Sequence, residues 1–173
     1  MTARTFALII GIAFLGAGVL GFIPTFVTPP PAGAPEVMSA GHGYLFGLFP
    51  INALHNLVHL AVGGLGLAAY AGMMSPVSYS RGLAVFYGAL AIFGLVPGLH
   101  TLFGLVPVHG HDIWLHAGTA LAAAWFGFRA PAGAASRNER RRGMERRSAM
   151  IAVPRERRLG ERRGAHGAAM MPG

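Results

Sequence analysis

The sequence predicts an all-α integral membrane protein: a bundle of four transmembrane helices in two hairpins, followed by a disordered, arginine-rich C-terminal tail. Three observations predict it. Hydrophobic residues make up 53% of the 173-residue chain and charged residues only 12%, against about 25% charged in soluble domains. Four apolar segments recur, each near the ~20 residues that cross a ~30 Å hydrocarbon core. The charge is also segregated. Residues 1–128 hold only Arg4, Arg81, Glu36 and Asp112, so the twelve arginines and four glutamates of residues 129–173 carry the whole +8. The division expected is a membrane domain over residues 1–129 and a basic cytoplasmic tail over 130–173.

The first element, "FALIIGIAFLGAGVLGFI", covers residues 6–23. Arg4 and the Ala32-Gly33-Ala34 match would suit a cleaved signal peptide, but the apolar run is long for one and Pro35 would follow the cut. A retained helix is expected. The linker "PTFVTPPPAGAPE" is dense in proline, which fixes φ and removes a backbone donor, so no regular structure is expected there. The second element lies within residues 44–72, its continuous part starting near Pro50. "MMSPVSYSRG" reads as a turn, and the third helix is expected over residues 82–99. "GLVPVHGH" leads to a short fourth helix over residues 112–128, "DIWLHAGTALAAAWFGF". Trp114 and Trp125 sit near its two ends, as in an interfacial aromatic belt. Drawn this way, every arginine falls on one side, which the positive-inside rule assigns to the cytoplasm. The expected location is the bacterial inner membrane, with both termini cytoplasmic.

A short internal repeat is visible. "RTFALIIG" resembles "RGLAVFYG", placing Arg4 over Arg81, and the second helix resembles the fourth, placing His59 over His116. Such parallel repeats imply a pseudo-twofold axis along the membrane normal.

Polar side chains are costly in hydrocarbon and tend to have a role there. In "INALHNLVHLAVGG", Asn52, His55, Asn56 and His59 recur at the three- and four-residue spacing that shares one helix face. Gly63 and Gly66 continue that stripe. Asp112, His116 and Thr119 form a matching stripe on the fourth helix, and His100 stands at the end of the third. The third helix offers Tyr87, Ala91, Gly94 and Gly98 on one face, the first Gly11 and Gly18. Small residues let helices approach, and the polar groups can then pair across the interface in the outer leaflet. The leading expectation is an inward-facing polar network serving a structural or partner-binding role, with no cofactor. The alternative is a metal ion or a proton relay at the same residues, His55, His59 and His116 being the metal-ligand set, or a haem with axial His59 and His116. Nothing resembles a nucleophile–base pair or a carboxylate cluster, so no enzyme is expected. The absence of cysteine removes disulfides, thiolate metal sites and iron–sulfur clusters.

The tail, with its recurring Glu-Arg-Arg, is expected either to bind anionic lipid headgroups, at ~1 kcal/mol per basic residue near the surface, or to serve only as a topology anchor. Its position beside a membrane helix argues against nucleic acid. A homo-oligomer or a membrane protein partner fits the small-residue faces.

"RTFALIIGIAFLGAGVLGFIP", "LFGLFPINALHNLVHLAVGGLGL" and "DIWLH", in this order, resemble the bacterial membrane family grouped as domain of unknown function 4383. The resemblance covers roughly residues 1–128. It rests most on "HNLVHLAVGGLG", with His55, Asn56 and His59, and on the D-x-x-x-H element of Asp112 and His116. His111 and the basic tail depart from the pattern. The resemblance implies a four-helix integral membrane protein and no particular activity.

Overall fold

The computed structural model describes residues 1–129 together with Met144 and Glu145. The expected disordered tail otherwise lies outside the described residues. Four helices form the body: α1 Ala3–Leu20, α2 Ala53–Ala71, α3 Pro76–Leu95 and α4 His111–Phe128. Helices α1, α2 and α3 are each long and apolar enough to cross a membrane. The eighteen-residue α4 carries His111, Asp112 and His116 and is held in the bundle by packing along α3.

Local chemistry sets the helix ends. Thr2, Asn52 and Ser75 cap α1, α2 and α3, each side-chain oxygen accepting a backbone N–H three residues on, as N-cap residues do. Gly72 ends α2 in the left-handed conformation, φ 86°, which glycine adopts without Cβ strain. The turn expected over "MMSPVSYSRG" is confined to residues 73–75, and from Pro76 on the segment is already α3. Ser75 caps it and Pro76 takes the first helical position, where proline's fixed φ is an advantage. Helix α3 stops at Leu95 rather than Leu99, before Pro97 and the positive-φ Gly98.

The connection between α1 and α2 holds structure the sequence did not reveal. A 3₁₀ turn at Pro24–Phe26 leads into β1 Val27–Thr28, followed by β2 Gly43–Leu45 and β3 Phe49–Ile51. They form a small antiparallel sheet in the order β1-β2-β3. Residues 44–51, expected to begin the second apolar segment, belong to this hairpin. Phe46 and Gly47 turn it with φ of 54° and 71°.

The two hairpins, α1 with α2 and α3 with α4, are each tightly packed. In the first, glycine sets the spacing. A Cβ added at Gly66 would lie 2.8 Å from the Gly11 Cα, and one at Gly63 2.8 Å from the Gly11 carbonyl oxygen. The core between hairpins is built from Phe6, Phe14, Tyr79, Leu83, Tyr87 and Val108. The outward faces carry Ile9, Ile12, Val85, Ile92, Leu121 and both tryptophans exposed, an apolar surface suited to lipid.

The expected repeat is visible in the contacts. Arg4 Nε donates to the Tyr70 carbonyl at 2.7 Å, and Arg81 Nε to the Gly127 carbonyl at 2.8 Å. Each first helix thus clamps the C-terminal carbonyls of its partner helix, the negative end of that helix's dipole. Aligning His59 with His116 also aligns Tyr70 with Gly127 and His55 with Asp112. Arg4, Arg81 and Arg129 consequently share one end of the bundle. The sheet and the α3–α4 connection share the other.

Candidate metal centre

Four polar side chains on α2 and α4 meet between the hairpins. His55, His59, His116 and Asp112 are only 2%, 6%, 1% and 2% exposed. The ligand atoms of the three histidines all lie within 4.8 Å of one another. His55 Nδ1 stands 3.9 Å from Asp112 Oδ2. The residues that meet are those the repeat makes equivalent, His55 with Asp112 and His59 with His116, as expected for positions beside a pseudo-twofold axis.

The surroundings are aromatic. Phe14 of α1 lies 5.1 Å from the His59 ring and stacks on Tyr87 at 5.0 Å, and Tyr87 lies 5.1 Å from His116. A cavity of about 80 Å³ opens beside His55 and His59, walled by Val58, Phe86, Tyr87, Leu90, Leu102, Val106 and Val108.

Among the described residues these groups form no hydrogen-bond network. His55 Nδ1, both ring nitrogens of His59 and of His116, Asp112 Oδ2 and the Tyr87 hydroxyl are buried without a hydrogen-bond partner. At 3.9 Å the His55–Asp112 pair is beyond hydrogen-bond range. A buried polar group left unsatisfied costs about 1–3 kcal/mol, and several such groups converge here. A tetrahedral ion with bonds near 2.0–2.1 Å needs nitrogens roughly 3.4 Å apart. The three imidazoles, within 4.8 Å of one another, would need to draw closer by up to about 1.4 Å to reach that spacing. The donor set, three imidazoles and a carboxylate, suits zinc and neighbouring divalent transition metals.

The other expected site residues lie elsewhere. Asn52 caps α2, its Oδ1 accepting from the His55 amide at 2.8 Å. Its Nδ2 donates to Ser39 Oγ and to the Leu105 carbonyl, the latter at 2.7 Å. It pins two connections together. Asn56 turns toward α1, where its carboxamide fills the space that a Cβ on Gly21 would take. His100 lies beyond the end of α3 and faces His109, ring centroids 5.9 Å apart.

Tyr87 was legible as part of the small-residue face of α3, but its place beside His116 was not. Nothing in the sequence marked Phe14, because an aromatic in an apolar run has no distinguishing neighbours. Near the connections, burial lowers the pKa of His42. Burial, then the nearby His100 and His42, lowers that of His109.

Fold and site together define a class: a small helical membrane protein with a polar centre buried between two hairpins. Within it, the chain belongs to the family described as Domain of unknown function (DUF4383), which matches residues 4–129. Neither a curated protein nor a solved structure matches the chain.

Proposed function

We propose that this is a non-catalytic membrane protein that binds a divalent transition-metal ion, zinc or a close neighbour, through His55, His59 and His116, with Asp112 as the fourth, charge-compensating ligand. The observation that carries the reading is the convergence of three buried imidazoles, five of whose six ring nitrogens are buried without a hydrogen-bond partner. A purely structural network would pair those atoms with one another, and the His55–Asp112 separation of 3.9 Å does not. Asp112 offsets part of the ion's charge, which matters where hydrocarbon surrounds the bundle.

A haem fits less well. Cofactor pockets run to ~300 Å³ or more, and the cavity beside the histidines is about 80 Å³. That volume also argues for binding over catalysis, since it admits only a few atoms besides the ion. We place the protein in the bacterial inner membrane with the arginine end in the cytoplasm. The basic tail there adds contacts to anionic headgroups.

The test is a cobalt titration of the full chain in detergent. Co²⁺ in a closed site of imidazoles and one carboxylate gives strong visible d–d absorption, whose tight-binding phase should saturate at about one ion per chain. His59→Asn/His116→Asn should abolish that tight phase while remaining folded by circular dichroism. Wild-type protein that shows no visible band would overturn the reading.

A further inference from the structure

The connections at the end of the bundle opposite the arginines bring a second set of histidines together. His100, after α3, and His109, before α4, face each other at 5.9 Å between ring centroids. An ion bound by two imidazoles with ~2.0–2.1 Å bonds holds their centroids roughly 5–6 Å apart; this pair has that spacing in an edge-to-face contact, and a turn of one ring would let both share an ion. The loop that positions them is fixed by the Val108 N–H donating to the His100 carbonyl at 2.9 Å. Tyr44 continues the group, 6.3 Å from His109 and 6.1 Å from His42. The Nε2 atoms of both His42 and His109 are buried without a hydrogen-bond partner. His42 also lines a surface cleft of about 380 Å³ that holds Glu36. Inward, Asp112 follows His109 three residues on and already stands beside His55.

We propose that His100 and His109, with His42 close by, form a second, weaker and exchangeable site for a divalent transition metal, which collects the ion at the surface and feeds the buried centre through Asp112. The feeding role rests on the reading of His55, His59 and His116 as that centre; the outer site does not. A surface group of neutral imidazoles with one carboxylate nearby suits capture of such an ion. Holding it loosely enough to release it follows from having few ligands and partial exposure.

The experiment uses the full-length chain in detergent micelles, with zinc dialysis for stoichiometry and stopped-flow cobalt absorption for loading. Wild type should bind a tight and a weak ion. His100→Gln/His109→Gln, on half-buried loop positions, should melt like wild type, keep the tight ion, lose the weak one and load about tenfold more slowly, as expected when groups that raise the local ion concentration near the centre are removed. His59→Asn/His116→Asn should keep only the weak ion. A folded His100→Gln/His109→Gln protein with wild-type stoichiometry and loading rate would overturn the outer site and leave the buried centre standing. Wild type that binds only a weak ion, lost in His100→Gln/His109→Gln, would support the outer site and refute the buried centre.

Discussion

Asn52 and His59 are both polar residues in one apolar segment, and they solve opposite problems. Asn52 spends its carboxamide on the protein: Oδ1 caps α2, and Nδ2 ties Ser39 and the Leu105 carbonyl together. His59 has neither ring nitrogen bonded to anything described. Substitution should separate the two roles. Asn52→Ala removes an N-cap, a loss of about 0.5–2 kcal/mol, and should melt earlier in detergent while binding metal at the wild-type ratio. A folded Asn52→Ala protein without metal would make Asn52 part of the centre. His59→Leu should lose the metal, whereas Leu57→Ala, at a side chain 53% exposed toward lipid, should keep it. Metal retained in His59→Leu would remove His59 from the ligand set.

Between helices, closeness is set by glycine, and neighbouring glycines on α2 differ in consequence. A Cβ at Gly63 would come within 2.7 Å of the Leu15 amide nitrogen, whereas one at Gly64 meets nothing within 4 Å. Gly63→Ala should therefore force α1 and α2 apart, at about 1–3 kcal/mol for overpacking. Gly64→Ala should be neutral or slightly stabilising, from alanine's better helix propensity. Equal melting temperatures for the two variants would contradict the close α1–α2 approach. At this scale the sequence was legible wherever a helix face mixed polar with apolar residues. The three- and four-residue spacing of His55, His59, Asp112 and His116 marked one face of each helix, and all four side chains are buried. The strands of "GYLFGLFPI" were not legible, because a wholly apolar stretch displays no alternation to read. The early start of α3 was hidden by Pro76, which breaks a helix interior but suits a helix start. The His100–His109 contact depends on a loop with positive φ at Leu102, Phe103 and Gly104, which no periodicity encodes.

Across the whole molecule, the repeat gives both hairpins the same device: an arginine at the start of one helix bonded to a carbonyl at the end of its partner. It also puts Arg4, Arg81 and Arg129 at one end. By the positive-inside rule that end faces the cytoplasm, so a reporter fused after Gly173 should work only if it is a cytoplasmic one; activity of a periplasm-dependent reporter there would reverse the orientation. Deleting residues 130–173 should leave insertion and metal binding unchanged, since the family match ends at residue 129 and every residue of the centre precedes it. Failure of the truncated chain to accumulate in membranes would show that the body depends on the tail.

The metal centre faces its most direct test in zinc-edge X-ray absorption of the full-length protein, purified without chelators and dialysed to remove weakly held ions. Three imidazole nitrogens and one oxygen at about 2.0–2.1 Å, with the outer-shell scattering of imidazole rings, are predicted. A dialysed protein without stoichiometric metal, or with zinc surrounded by oxygen alone, would contradict a centre built from His55, His59 and His116.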